Sequence, residues 1–136
     1  MQIVMPNIKK KSEECLDAAQ KLIDSGMFNS SIHCSYYSVF LYMKFILANT
    51  SNKPVNYATQ KERGKTDSHK YVSREIINRV NNASKLKDIK QLYDFIKTKR
   101  IDADYTDKLF DDEESLDVID KSKGLHQRLN DQFGKL

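Results

Sequence analysis

Arg100 is the residue whose type and position most directly suggest chemistry. It interrupts an apolar stripe that steps by three and four residues, as one face of a helix does; the other members are Leu86, Ile89, Tyr93, Ile96 and Ala103. A guanidinium stays charged in proteins and presents a planar fork of donors suited to phosphate or carboxylate. Because an unpaired buried charge is costly, Arg100 must pair with an anion or face a wet groove. Two interpretations stay open: Asp104, one turn later, pairs with Arg100 and closes the end of the fold, or Arg100 lines a groove that receives a phosphate.

Tyrosines and one histidine are the other candidates for a site. Tyr105 follows Asp104 directly, and phenols can stack a nucleic-acid base or donate to a phosphate oxygen. With an unperturbed pKa near ~10, a phenol is a poor general base at neutral pH. His69 is expected to lie in a basic, exposed setting at the start of a helix. We predict a groove for a ligand or RNA formed by Arg100, Asp104, Tyr105, His69 and Tyr37, with Arg100 and Tyr105 as the candidate catalytic pair.

The sequence carries no metal or cofactor motif. The three histidines and two cysteines lack metal-ligand spacing, and glycine-rich phosphate loops and hydrolase motifs are missing. His33 and Cys34 are neighbours on one helix, so their side chains diverge and cannot form a nucleophilic pair. Cys15 and Cys34 are read as reduced thiols of a cytoplasmic protein. We predict no metal and no cofactor.

Hydrophobic periodicity predicts an all-α fold, an up-and-down bundle of four long helices plus a shorter fifth helix. Residues 1–136 are expected to form a single domain. The expected helices run over about 8–25, 29–48 and 67–80, then from about 84, and from 111 onward. Gly26 is predicted to end the first helix, and Asp111 with Glu114 to form a capping box at the start of the fifth.

Two segments are expected to lie between or inside these helices. The polar stretch at about 49–66, which contains Pro54 and Gly64, is predicted to be a long loop. The most apolar stretch, 36–48, is interrupted by Lys44 and falls short of the ~20 residues that cross a bilayer. It is therefore predicted to be a buried helix, with no membrane partner.

Charge is unevenly distributed along the chain. Residues 60–100 hold twelve Lys or Arg against five Asp or Glu, whereas residues 101–136 hold five against ten. The basic middle could attract a phosphate-bearing partner, and the acidic end could pair with the basic part of a second subunit. Packing of two oppositely charged helix faces within one chain explains the pattern equally well.

Three stretches together resemble the HEPN family of small helical domains, which occur with prokaryotic nucleotidyltransferases and in toxin and defence systems. They are SIHCSYYSVFLY at 31–42, TDSHK at 66–70, and RIDADY at 100–105 followed by FDDEES at 110–115. The resemblance implies a homodimer, RNA or a nucleotide as ligand, and a minimal nucleotidyltransferase as partner. In ribonuclease members, Arg followed four to six residues later by His forms a metal-independent RNA-cleaving site. Arg100 matches that arginine, but Tyr105 stands where the histidine is expected and no histidine follows within six residues.

Three functions are compatible with these residues. The first is a binding module of a toxin–antitoxin or defence system, with a groove at Arg100 for RNA, a nucleotide or a partner. The second is a metal-independent ribonuclease toxin with a degenerate Arg…Tyr motif, in which Arg100 stabilises charge on the scissile phosphate. The third is a structural dimerisation domain in which Arg100 only pairs with Asp104.

Overall fold

The computed structural model describes residues 3–134, and every regular element in that range is a helix. The prediction of an all-helical fold is confirmed. The number of helices was predicted wrongly, because there are four long helices and two short ones. They are α1 (Pro6–Asp24), α2 (Phe28–Asn49), α3 (Tyr57–Arg63), α4 (Ser68–Ile77), α5 (Ala83–Tyr105) and α6 (Asp112–Phe133).

Helix α2 is the centre of the bundle. It packs against α1, α4, α5 and α6, so its apolar residues are covered on nearly all sides. A helix that is apolar all round needs such cover to be stable in water. The largest of its fully buried side chains are Ile32, Tyr36, Phe45, Ile46 and Leu47. This helix therefore fixes where every other helix can lie. Among the described residues, no helix is both long enough and apolar enough to cross a membrane.

Small serines bring α1 close to α2. Ser31, Ser35 and Ser38 are fully buried, and the Ser12 hydroxyl of α1 donates a hydrogen bond of 2.6 Å to the Ser38 carbonyl oxygen. A large side chain at these positions would hold the two backbones apart. The small serines thus permit a close backbone approach, and α1 is the helix that makes it.

Both predicted helix-end signals are present. Gly26 adopts φ 76°, and the amides of Gly26 and Met27 donate to the carbonyl oxygens of Ile23 and Leu22 at 3.0 and 2.8 Å. This is the Schellman arrangement, which needs a left-handed residue after the helix. At the start of α6, Asp111 and Glu114 form the expected capping box.

The segment predicted as a long loop, 49–66, instead contains α3. The Asn56 side chain accepts a hydrogen bond of 2.8 Å from the Thr59 amide and so caps this helix. The Gln60 amide nitrogen donates to the carbonyl oxygens of Val55 and Lys44 at 2.9 and 3.1 Å, which ties α3 to α2. A seven-residue helix is too short to show hydrophobic periodicity, so its cap was the only sequence signal available.

A smaller expectation also differs from the structure. Helix α4 ends at Ile77, three residues before the predicted end at Val80. The apolar Leu116 of α6 is 42% exposed, because Ser115, Val118, Ile119 and Ser122 form the buried side of the helix there.

Candidate functional site

Four of the five predicted site residues line one groove between α2, α4 and α5. The groove has a volume of about 440 Å³, and we call it the Arg100 groove. Its walls are formed by Tyr37, Asp67, His69, Lys97, Arg100, Ile101 and Tyr105. The fifth predicted residue, Asp104, lies next to it in a separate pocket that also contains His33 and Cys34. The fold thus brings together residues that are up to 68 positions apart in the chain.

Arg100 lies among three phenol rings and is only 7% exposed. Its guanidinium carbon is 4.5 Å from the centre of the Tyr36 ring, 6.0 Å from that of Tyr37 and 5.8 Å from that of Tyr105. The negative face of an aromatic ring attracts a cation, most strongly where water is excluded. These rings therefore help to hold a charged side chain at a position that periodicity would give to leucine.

The carboxylate of Asp104 pairs with Arg100 only loosely. The distance from Arg100 Nη1 to Asp104 Oδ2 is 3.8 Å, whereas the same oxygen lies 2.8 Å from His33 Nδ1. Arg100 Nε is buried and has no hydrogen-bond partner among the described residues. Arg100 thus contacts Asp104 and also lines the groove. The carboxylate of Asp104 therefore does not pair with all the N–H donors of the Arg100 guanidinium.

His69 is held by aromatic neighbours and is half-buried rather than exposed as expected. Its Nδ1 lies 2.7 Å from the Tyr36 hydroxyl oxygen, which in turn lies 3.1 Å from the hydroxyl of Tyr93. Its ring stacks on Phe40 with 4.1 Å between ring centres. Because Nδ1 is held by Tyr36, Nε2 is the ring nitrogen left for a ligand.

The local electrostatics keep His69 neutral near pH 7. Burial lowers the pKa of His69 below its usual value, and the positive charge of Arg100 lowers that pKa further. A neutral imidazole can accept a proton or donate one. Tyr36 has a raised pKa because it is buried, so its hydroxyl stays protonated and hydrogen-bonds to the histidine without changing charge.

Four residues outside the predicted groove set also shape this site. Lys97 precedes Arg100 by three residues on α5, and that spacing alone would have placed it on the same face. Asp67 caps α4 by accepting a 3.0 Å hydrogen bond from the Lys70 amide, and this bond lowers its pKa. His33 contacts Asp104, and Tyr36 contacts His69. Each contact joins two helices that are distant in the chain, so no pattern in the local sequence predicts it.

The charges of the groove favour an anion. Its walls carry the cations of Arg100 and Lys97 and one carboxylate, Asp67, while His69 is neutral. Exposed phenol surface from Tyr105 lies beside these groups. The arrangement can bind a phosphate and stack a planar group next to it. Within residues 3–134, no three His, Cys, Asp or Glu side chains are grouped so as to hold a metal ion.

The pKa of His69 should rise when the charge of Arg100 is removed. We expect Arg100→Gln to raise this pKa, because the guanidinium disfavours the imidazolium, and Arg100→Lys to leave it low because the charge is kept. Lys87→Gln removes the same charge from an exposed position outside the groove and should have no effect. The measurement is a titration of the His69 ring signals by NMR. An equal pKa in wild type and Arg100→Gln would contradict the proximity of the two side chains.

Comparison with known families agrees with the resemblance seen in the sequence. The family model described as the HEPN domain matches residues 5–132, nearly the whole chain. No curated protein and no solved structure matches the chain. Since the family match covers α1 to α5, all but the last residue of α6 and the Arg100 groove, the chain belongs to the HEPN domain family.

Proposed function

We propose that this HEPN domain is a binding module whose Arg100 groove holds the phosphate of single-stranded RNA or of a nucleotide. The observation that carries the proposal is the incomplete pairing of Arg100. Its nearest carboxylate oxygen lies at 3.8 Å and is closer to His33, and its Nε has no partner among the described residues. A buried guanidinium with unused donors is stabilised by an incoming phosphate oxygen. A purely structural Arg100 would have a close, fully paired carboxylate.

The rest of the groove supports a nucleic-acid ligand over a bare anion. Tyr105 is 74% exposed at the end of α5, and the ring of Tyr37 forms part of the opposite wall. Bases of single-stranded RNA stack on such aromatic rings while cations contact the backbone. Lys97 supplies a second cation one turn before Arg100. Members of the family are generally linked to nucleotides or RNA in toxin or defence systems, which points in the same direction.

The proposed assembly is a homodimer formed through the end of the bundle near the groove. Leu109 is 87% exposed, and it borders a shallow pocket with Met27, which is also exposed. The segment that carries Leu109 is fixed, because the Asn29 side chain donates to the Lys108 carbonyl oxygen and accepts from the Phe110 amide, each at 2.9 Å. An apolar side chain held outward by such bonds is well placed to be covered by a second copy.

A cytoplasmic toxin–antitoxin or defence role with a minimal nucleotidyltransferase as partner is the wider part of the proposal. It is supported by family membership and by the free thiols of Cys15 and Cys34. Co-purification of the chain with a nucleotidyltransferase encoded beside it tests this part directly. Recovery of the chain alone from such co-expression would count against the partnership.

The homodimer should dissociate when Leu109 is made acidic. We expect light scattering to give twice the 15.8 kDa mass of one chain for wild type and a single-chain mass for Leu109→Asp, because a carboxylate is costly in an apolar contact. Leu116→Asp is the matched control, since Leu116 is also exposed but borders neither the Arg100 groove nor the Leu109 pocket. A wild-type protein that is monomeric at micromolar concentration would refute the dimer.

Binding of single-stranded RNA should depend on the cations of the groove. With a fluorescein-labelled RNA of mixed sequence, we expect Lys97→Gln to weaken binding several-fold and Arg100→Gln by about tenfold or more. Each loss of a phosphate contact should reduce the slope of log affinity against log salt by about 0.7. Lys87→Gln, an exposed change of equal charge, should bind like wild type.

The same experiment separates binding from a structural role. If Lys97→Gln, Arg100→Gln and Lys87→Gln all bound RNA as tightly as wild type, or if wild type bound no RNA, the groove would not be the ligand site. The structural dimerisation domain would then be the better account of Arg100. Arg100 is buried, so Arg100→Gln could disturb folding. Lys97 is only half-buried, and Lys97→Gln therefore tests the groove in a variant that should fold like wild type.

Metal-independent RNA cleavage is the second candidate, and one observation favours it. His69 lies in the same groove as Arg100, is neutral near pH 7 and has one ring nitrogen free of protein contacts among the described residues. In such a reaction His69 would accept the proton of the attacking 2′-hydroxyl, whose oxygen bonds to phosphorus while the bond from phosphorus to the 5′-oxygen breaks. The leaving 5′-oxygen would take a proton from water, and Arg100 would stabilise charge on the phosphate. A histidine from α4 would then replace the one missing after Arg100. A phenol is almost fully protonated at neutral pH and is therefore a poor general base there.

Cleavage of an RNA pool in the presence of a chelator distinguishes the two candidates. For a binding module we expect intact RNA with wild type at concentrations that saturate binding. Metal-free cleavage that is lost in both Arg100→Ala and His69→Asn, but kept in Tyr105→Phe, would make the ribonuclease the correct function. Loss in Tyr105→Phe as well would instead assign a role to the phenol that replaces the family histidine.

A further inference from the structure

A second cavity lies on the opposite side of the first turn of α4 from the Arg100 groove. It has a volume of about 570 Å³, is bordered by residues of α1, α2, α3 and α4, and shares no lining residue with the Arg100 groove. Pockets of this size hold small molecules. We call it the α3 pocket, because Tyr57, Gln60 and Lys61 of that helix line it.

The α3 pocket is lined by three lysines and by no carboxylate. They are Lys44, Lys61 and Lys65, and none of them forms an ion pair with Asp or Glu within residues 3–134. Lys44 is half-buried, and its nearest aromatic contact is the Phe40 ring, 5.7 Å from Nζ. Burial lowers the pKa of Lys44, as expected for an ammonium without a compensating anion. A bound anion would supply that compensation.

Two polar atoms beside these lysines also lack partners. The Tyr57 hydroxyl and Gln60 Oε1 are buried without a hydrogen bond among the described residues. The orientation of the Gln60 amide is fixed, because its nitrogen donates to the carbonyl oxygens of Val55 and Lys44. Burial raises the pKa of Tyr57 to about 12, so the phenol remains protonated and able to donate. Since unpaired buried groups are costly, a ligand oxygen is the natural partner of the Tyr57 hydroxyl, whereas Gln60 Oε1 can only accept and needs a donor such as an ammonium group.

The rest of the pocket lining is mostly apolar, and it includes a glycine, Gly64, at a close contact between two helices. Ile8 and Val72 line the cavity together with the Tyr57 ring. Gly64, at the end of α3, has no room for a side chain, since an added Cβ would lie 2.9 Å from the Gln60 carbonyl oxygen. The same Cβ would lie 3.1 Å from Cα of Ser68, the first residue of α4, so the glycine lets α3 and the start of α4 approach closely. The pocket therefore combines a cationic rim with an apolar interior.

We propose that the α3 pocket binds a small organic phosphate, meaning a phosphate monoester carried on an apolar or aromatic body. The three ammonium groups carry three positive charges. The nearly two negative charges of a phosphate monoester at pH 7 compensate them better than the single charge of a carboxylate does. Ile8 and Val72 receive the apolar body, and the Tyr57 hydroxyl donates to an oxygen of the ligand. The site is separate from the Arg100 groove and does not depend on the function proposed there.

Phenyl phosphate is the probe for this site, with methyl NMR of the full chain as the measurement. We expect the methyl signals of Ile8 and Val72 to shift in a saturable manner. In the Lys61→Gln/Lys65→Gln variant, the midpoint reported by these methyls should rise about tenfold. Ile101 lines the Arg100 groove. If phenyl phosphate also shifts its methyl signal, the midpoint of that shift should be the same in this variant as in wild type. Both substituted lysines are exposed, so the variant should fold.

Three comparisons decide the result. The Lys87→Gln/Lys90→Gln variant loses the same charge at exposed positions outside the pocket and should bind like wild type. Phenol or inorganic phosphate alone should bind at least tenfold more weakly than phenyl phosphate, because each lacks one half of the ligand. Equal binding by inorganic phosphate, no shift at Ile8 and Val72, or an unchanged midpoint in the Lys61→Gln/Lys65→Gln variant would each overturn the proposal. Preference for phosphatidic acid vesicles over phenyl phosphate would assign the pocket to a lipid headgroup instead.

Discussion

The guanidinium of Arg100 lies over the Tyr36 ring in a part of the bundle that water barely reaches, and this contact fixes α5 relative to α2. A charge at that depth needs compensation, which the protein provides through ring faces, a distant carboxylate oxygen and the mouth of the groove. Tyr36 is therefore required on α2 and Asp104 one turn after Arg100 on α5. The site exists because the bundle leaves this charge partly unpaired and open on one side.

Tyr36 links that cation to the rest of the site. Its ring lies against Arg100, while its hydroxyl contacts His69 of α4 and Tyr93 of α5. One fully buried side chain thus sets both the position of the guanidinium and the orientation of the imidazole. Buried polar networks specify a single arrangement when all members are paired. Among the described residues Arg100 Nε has no hydrogen-bond partner, and the hydrogen bond of His69 is made by Nδ1. Both side chains line the groove, where a ligand can contact them.

The parts of this arrangement that could be predicted from the sequence are those governed by local spacing. Periodicity predicted five of the six helices, although it made the last helix the shorter one, whereas α6 is long and α4 is short. Gly26 and Asp111 marked two helix ends, and the polar interruption of an apolar stripe indicated Arg100. Helix α3 was missed because a single Asn56 cap and a buried Gln60 stabilise a helix too short to have a stripe. The pairing of His33 with Asp104 spans 71 residues, and only the packing of α2 against α5 creates it. Contacts of this kind depend on tertiary geometry, which a single sequence does not show.

The two proposed sites lie on either side of one helical turn, and their charges are connected. Asp67 and His69 line the Arg100 groove, while Ser68 between them lines the α3 pocket. The positive charge of Lys44, in the α3 pocket, contributes to the low pKa of His69. An anion bound beside Lys44 would offset that contribution, and the pKa of His69 would then move upward. Burial and the charge of Arg100 lower this pKa more than Lys44 does, so His69 would stay neutral near pH 7 with the α3 pocket occupied. The upward shift would make its imidazole a somewhat stronger proton acceptor, which couples the two sites through charge alone.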